Sequence, residues 1–386
     1  MYDVTAGLAA AGHRVTVLAI NTPKHQQPST ALAHLGPAVR LETVEVDTAL
    51  KPWRALRSLL RGALPYNIER FVSPALTARL TEILQTEAID VVQVEGSFVA
   101  WYIDVIRQVA PTVPVVLRAH NVEHTIWHML ASRGQNPLKN YYLHHLARGV
   151  EAFERCYLPR FDAVAAITEP DQRRLLALGC PEPVVFIPAG VNLARLAPAA
   201  DPTPEPHTLF MIGSFDWLPN QEGLEWFLSQ VWPWVHDQCP RLTLHLAGKN
   251  MPAHIARLHG RQNIVVHGFV ESSTAFMQRY ELMLVPLLSG GGMRVKIIEG
   301  MALGKCILST GLGSEGIWVR HNHDIILCDE ASEWIKHIEQ YDRGELICNQ
   351  MGKAAAATIA RFYDNRQVIE QFLLLYRQLG APAESA

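Results

Sequence analysis

The chain has 386 residues, of which 49% are hydrophobic and 18% charged, with 34 Lys and Arg set against 37 Asp and Glu. That length exceeds what one core usually serves, so two domains are expected, and the balance excludes a disordered or coiled-coil chain. The near-neutral charge excludes bulk nucleic-acid binding, so any anion site must be local.

Met1 leads directly into TAGLAAAGH, which reads as the end of a helix capped by Gly12. An α/β domain ordinarily opens on a buried strand and a Gly-rich turn. That first strand is expected to be missing here, through a start codon placed too far downstream or a natural truncation. The β-rich runs VTVLAI (15–20), DVVQVE (90–95), PVVLRA (114–119), AVAAIT (163–168) and VVFIPA (184–189) alternate with longer helical stretches. Such alternation predicts parallel strands joined by crossover helices. Between the first two runs, KPWRALRSLLRGALPY (51–66) sets Arg54, Arg57 and Arg61 among Trp53, Leu56, Leu59 and Leu60. This is a basic amphipathic helix that could make a peripheral contact with an anionic membrane, or pack on its own domain with solvated arginines.

The Pro-rich segment LAPAADPTPEPH (196–207) reads as the linker. The alternation restarts with TLFMIG (208–213), LTLHLAG (242–248), IVVHG (264–268), LMLVP (282–286), CILST (306–310) and IILC (325–328). The expected domains are therefore 1–195 and 208–361, two α/β units with a ligand cleft beyond the carboxyl ends of their strands. Phe362, Ile369, Phe372 and Tyr376 fall on one helical face, predicting a last helix over 362–380 that packs back on the first domain.

The six cysteines, Cys156, Cys180, Cys239, Cys306, Cys328 and Cys348, stand singly and form no C-x-x-C pair, as expected of reduced core thiols. No apolar run reaches the roughly 18 residues of a membrane span, and the first residues lack the order of a signal peptide. A soluble cytoplasmic protein is the expectation.

The chemistry is concentrated in LVPLLSGGGMRVKIIEGMALGKCILST (284–310). A strand ends at Pro286, Gly290, Gly291 and Gly292 make a turn, and a helix is predicted from near Met293 to about Leu303. Glycines let a ligand approach the backbone, and amides at a helix start favour an anion. Arg294 and Lys296 place two cations where the helix dipole disfavours them, a cost that a bound anion would offset. Glu299, a turn and a half further in, can accept hydrogen bonds from ribose hydroxyls. A Gly-rich loop whose Arg and Lys face water is the bland alternative; the three charged residues together point to a nucleoside diphosphate.

SGGGMRVKIIEGMALGK resembles the donor-binding segment of glycosyltransferase family 4, in the branch written G-G-G-x-R-x-K-x-x-E-x-M-A-x-G-K. GSFDWLPNQEGLEWF (213–227), RAHNVEHTIW (118–127), FIPAGVN (186–192) and AGLAAAGHRVTVL (6–18) are similar to the same family, so the resemblance spans nearly the whole chain. It implies an α/β GT-B fold, two Rossmann-like domains facing each other across a cleft. It also implies a nucleoside-diphosphate sugar donor held mainly by the second domain, an acceptor held mainly by the first, and retention of anomeric configuration. Residue by residue, it implies that Glu299 binds the ribose, that Arg294 and Lys296 flank the diphosphate, and that His120 touches the donor sugar. Gly213, Ser214, Gly290, Gly291, Gly292, Met293 and Glu315 then belong to the donor side, with Arg118, Asn121 and Glu123 on the acceptor side. Ser214, Asp216 and Glu315 sit at strand ends, where turn capping is the alternative role for the serine and aspartate.

Two departures from the family pattern stand out. Gly291 occupies the position of a second carboxylate, eight residues before Glu299. The loop SFDWLPNQ lacks the usual Arg and Lys and offers Asn220 instead. Cleavage of the sugar–phosphate bond leaves a diphosphate, which fixed cations and helix amides can stabilise. No metal and no cofactor are therefore expected, and no D-x-D pair is placed to hold Mg²⁺. A glycan or lipid-linked acceptor, and a place in cell-surface or exopolysaccharide synthesis, follow from the family branch.

Two rivals belong to other classes. His120-Asn121-Val122-Glu123-His124 matches H-x-x-E-H, an inverted zinc-peptidase motif, although that motif needs both histidines on one helix and His120 follows a strand. A truncated, non-catalytic GT-B protein would follow if the first strand were truly absent.

Overall fold

The computed structural model of the chain describes residues 1–22, 26–49, 51, 53, 64–133, 137–180, 183–196 and 203–381. Two compact units emerge, Met1–Gly190 with Asn365–Ala386, and Val191–Asp364. In the first, the main elements are α1 (Tyr2–Ala10), β1 (Val15–Asn21), β2 (Val39–Glu45), β3 (Val92–Glu95), β4 (Val115–Ala119), α2 (Glu123–Arg133), α3 (Pro137–Tyr157), β5 (Ala163–Ala166) and β6 (Val184–Phe186). The second contains β7 (Glu205–Ile212), α4 (Leu218–Gln230), β8 (Thr243–Ala247), β9 (Ile264–Gly268), β10 (Tyr280–Val285), α5 (Val295–Ala302), β11 (Cys306–Ser309), β12 (Ile326–Leu327) and α6 (Cys348–Phe362). The chain then returns to the first unit as α7 (Asn365–Gln378).

Among the described residues, β3 to β6 pair in parallel in chain order, while β1 and β2 form a separate parallel pair. Alternate residues of β4 and β5 point to opposite faces, as the strand period requires. Val115, Leu117, Ala119, Val164 and Ala166 pack with Ile103, Ile106 and Phe153, whereas Val116, Ala163 and Ala165 meet Val368, Ile369 and Phe372 of α7. With both faces covered, the strands can be continuous apolar runs. α7 is pinned at its start by Asn365 Nδ2, which donates to the Asp3 carbonyl at 2.7 Å.

Every strand expected from the alternation is present. β2 was not expected, because VRLETVE carries Arg and Glu at alternate positions and the strand is half-buried along its middle, pairing only with β1. The last helix starts later than its apolar pattern suggests. Phe362 ends α6 in the second unit, under Trp318, and Tyr363 is tied there by its carbonyl accepting from Val191 N at 2.9 Å. Residues 54–63 of the basic amphipathic segment and 197–202 of the Pro-rich segment lie outside the described residues.

The second unit is a six-stranded parallel sheet in the order β12-β11-β10-β7-β8-β9. Leu209, Met211, Leu244, Leu282, Leu284 and Leu308 pack on one face with Phe227, Trp232 and Trp334; Phe210, Met283, Val285 and Ile307 pack on the other with Ile297, Ile298 and Met301.

On that second face the buried His245 meets the exposed His267. His245 Nδ1 lies 3.0 Å from His267 Nε2, and the His245 ring stacks on Tyr280 with centroids 3.9 Å apart. Burial first, and the neighbouring His267 second, hold His245 down at about 4. An unfolded histidine protonates near 6.5, so on acidification the unfolded chain takes up this proton first, and stability is lost as pH falls from about 6.5 to about 4. The full contribution is on the order of 3 kcal/mol. Denaturant melts at pH 7.5 and pH 5 should show wild type losing much of it, while His245→Gln, which keeps a polar side chain without the charge change, should show a smaller acid loss.

Candidate active site

Chain order reverses between β7 and β10, which pair in parallel with Phe210 opposite Met283. From β7 the strands build outward through β8 and β9, and from β10 they build the other way through β11 and β12. At such a switch point the connections leave toward opposite faces and open a crevice at the carboxyl ends. The segments leaving β7 at Gly213 and β10 at Pro286 are thereby made neighbours. α4, which follows the first segment, lies so close to the second that a Cβ on Gly223 would come within 2.0 Å of the Pro286 carbonyl oxygen. Ser289 Oγ donates to Glu222 of the same helix at 2.5 Å.

The triple-glycine turn is locked by that neighbourhood. Gly290 has φ +104°, and a Cβ there would meet the Trp217 ring at 2.9 Å and Pro219 at 3.2 Å. Among the described residues, no acceptor meets the backbone amides of Gly290, Gly291, Gly292 and Met293. These amides precede α5, whose dipole adds positive potential at the same end.

The helix begins at Val295, later than predicted, because Arg294 is its N-cap. The Arg294 guanidinium is buried, donates through Nη1 to the carbonyls of both Gly291 and Gly292, and lies 5.2 Å from the centre of the Trp217 ring. Lys296 reaches across to the exit of β7, its ammonium donating to Asn220 Oδ1 at 2.9 Å and to the Ile212 carbonyl at 3.5 Å. Asn220 in turn donates to the Ser214 carbonyl at 2.7 Å, over Gly213, where a Cβ would meet its amide nitrogen at 2.8 Å. Burial, and after it the charge of Arg294, brings Lys296 down to about 7. Ser214 Oγ is turned to Asp216. Glu299 is half-buried near the middle of α5, and Glu315 is half-buried in the turn after β11. That turn is braced against the exit of β10 by Thr310 Oγ1, which donates to the Leu287 carbonyl at 2.6 Å.

The residues predicted in the first unit separate into two groups. His120 and Asn121 are half-buried beyond the carboxyl end of β4, where His120 Nε2 lies 2.8 Å from Glu95 Oε2 at the end of β3. Burial alone would raise the Glu95 carboxyl, but His120, with Arg118 behind it, holds it below its ordinary value. Arg118, by contrast, is turned into the core: it is 2% exposed, donates to the Pro188 carbonyl at 3.0 Å and lies 4.6 Å from the Phe372 ring centre. Burial lowers its pKa, against the pull of Glu95. Its contacts are with the unit's own architecture rather than with an open acceptor surface.

Glu123 is also buried, and burial lifts it to about 7, with Glu154 and Asp171 adding to the rise and the Asn121 amide opposing it. Glu154 of α3 accepts from the amides of Glu123 at 2.9 Å and His124 at 3.3 Å, and its Oε2 lies 2.6 Å from His124 Nδ1. A buried carboxylate from another helix thus caps α2. His120 and His124 therefore engage different carboxylates, and among the described residues no group of three His, Cys, Asp or Glu side chains is placed to hold a metal ion. The zinc-peptidase reading of H-x-x-E-H fails on this geometry. Sequence reading missed Glu95 and Trp217; the available signals were a carboxylate closing a strand and a tryptophan just before the helix-starting Leu-Pro.

A sheet reversing at β7 and β10, with a glycine turn and helix start at its carboxyl edge, defines a Rossmann-like unit. The chain belongs to Glycosyltransferase Family 4, whose model matches residues 1–195, and residues 206–341 match the model for glycosyl transferases group 1. Its fold is GT-B. Similar solved structures include sucrose-phosphate synthase from Thermosynechococcus elongatus, 17% identical with TM-score 0.67 over 97% of this chain and 91% of that one. Anabaena HepE in complex with UDP and glucose is 13% identical with TM-score 0.65, over 97% and 95% of the two chains. An uncharacterized 44.6 kDa protein in the cps region of Klebsiella pneumoniae is 24% identical over 168 residues, 42% of this chain and 43% of that protein. The chain thus spans less than half of that relative's length in the match.

The interlock of Gly290 with Trp217 yields a stability prediction. Gly290→Ala combines a left-handed backbone with a collision against the indole, and should cost about 1 to 3 kcal/mol. Chemical denaturation reads this directly, and an unchanged midpoint would show that the turn is not held as described.

Proposed function

We propose that the protein transfers a sugar from a nucleoside-diphosphate sugar to a glycan or lipid-linked acceptor, with retention of configuration and without a metal ion. The observation that carries this reading is the turn of four amides and the start of α5, with Lys296 and Arg294 beside them, at the switch point of the second unit's sheet. As the sugar–phosphate bond breaks, negative charge grows on the diphosphate. Fixed N–H groups and a cation already in place stabilise that charge without reorganisation, which is the task a divalent metal performs elsewhere.

In this reading Glu299 binds the ribose, Gly213, Ser214 and Glu315 belong to the donor side, and His120, oriented by Glu95, is assigned to the transferred sugar. UDP and glucose in the HepE structure support the donor class, and TarM bound to UDP and α-GlcNAc-glycerol supports a glycan-type acceptor. The cps-region relative supports a role in cell-surface or exopolysaccharide synthesis, and no helix among the described residues is long and apolar enough to cross a membrane. We place the enzyme in the cytoplasm.

Two measurements test the reading. A panel of nucleotide sugars in a thermal-shift assay should single out one donor, since a ligand at a hundred times its Kd adds about 2.7 kcal/mol. With that donor, alanine at Lys296 or at Arg294 should each lower kcat/KM by roughly 2 to 4 kcal/mol of transition-state stabilisation. Unaltered kcat/KM in both variants would refute the assignment.

A further inference from the structure

Two cations stand two residues apart at the start of α5, yet their surroundings differ. The Arg294 side chain is turned back on its own turn, where Nη1 is shared between the carbonyls of Gly291 and Gly292 and the guanidinium lies over the face of Trp217. A guanidinium that meets two carbonyls through one nitrogen and lies over an indole is a closure for the loop. Lys296 is turned the other way, toward the exit of β7, where the Asn220 oxygen and the Ile212 carbonyl take two of its three ammonium donors. Both of those partners are neutral. Among the described residues, no carboxylate forms an ion pair with Lys296.

Resting on the donor-site reading above, we propose that the two cations have separate tasks. Arg294 is a positioning residue that locks the Gly290–Gly292 turn through its carbonyls and Trp217, and Lys296, steadied by Asn220, is the cation that meets the donor's diphosphate. A consequence follows from charge alone. In the unliganded protein, burial and Arg294 hold Lys296 at about 7, whereas a neighbouring anion favours the charged form and raises it. Binding above pH 7 therefore takes up a proton, and affinity falls as pH rises, by at most about tenfold per unit until the bound-state value is reached.

Inorganic pyrophosphate, which carries no base or sugar, is a suitable probe for titration calorimetry on the full chain between pH 7 and pH 9, in two buffers of different ionisation enthalpy. Lys296→Met supplies the probe's own titration as the reference. Relative to it, wild type should take up a proton and weaken with pH. Lys296→Arg, charged at every pH, should bind with no such uptake. Arg294→Met should lose affinity at least about tenfold yet keep the uptake, with faster amide exchange over 288–295. Arg294→Lys should fail to restore affinity, because a compact ammonium lacks the planar guanidinium that lies over the indole while one of its nitrogens meets both carbonyls. Rescue by Arg294→Lys, or uptake in wild type no greater than in Lys296→Met, overturns the division of tasks while leaving the site in place. Wild type that binds no pyrophosphate, or binds it equally in every variant, removes the donor site itself and the division with it.

Discussion

The pairing of β7 with β10 is the constraint on which the second unit depends. Strands widely separated in sequence are joined in register, Leu209 opposite Leu282 and Phe210 opposite Met283, so the loops that leave them must share one edge of the sheet. That edge has little room. Gly213, Gly223 and Gly290 each stand where a single added carbon would strike Asn220, Pro286 or Trp217. The glycines thus serve first to let two loops interlock, and the open amides of the turn are a result of that fit.

Placing two cations at the positive end of a helix is unfavourable unless something absorbs the charge. Arg294 meets this by closing on two carbonyl dipoles and an aromatic face, all supplied by the unit itself. Lys296 meets it only in part, through an amide and one carbonyl, and its basicity falls accordingly. An environment that weakens a cation in the free protein is the same environment in which an arriving anion gains most from it, since both effects come from exclusion of water.

Buried ionisable groups in the first unit carry a different message. Arg118, Glu123 and Glu154 are all buried, and burial lowers the first and raises the second, but Arg118 and Glu154 hold Pro188, Phe372 and the start of α2, and Glu123 is packed where that helix begins. Perturbed titration marks candidates for function and also marks structural ions, and only geometry separates them. His120 with Glu95 differs in placement, because the pair sits half-open beyond the carboxyl ends of adjacent strands.

Much of this protein is local and could be read from the chain alone. Eleven strands are apolar runs and were legible as such, and the spacing of Arg294, Lys296 and Glu299 after the three glycines marked a candidate anion site because helix geometry places such residues within one turn and a half. β2 escaped because its polar alternation suits a half-buried strand as well as a loop, and the start of α7 escaped because the hydrophobic face continues from α6 across Tyr363. What tertiary structure alone decided is direction: Arg118 inward onto Phe372, Glu95 toward His120, Arg294 back onto its turn under Trp217, and Lys296 across to Asn220. Each partner lies on a different element, and which elements meet is set by strand order and register, quantities that no stretch of residues read by itself contains.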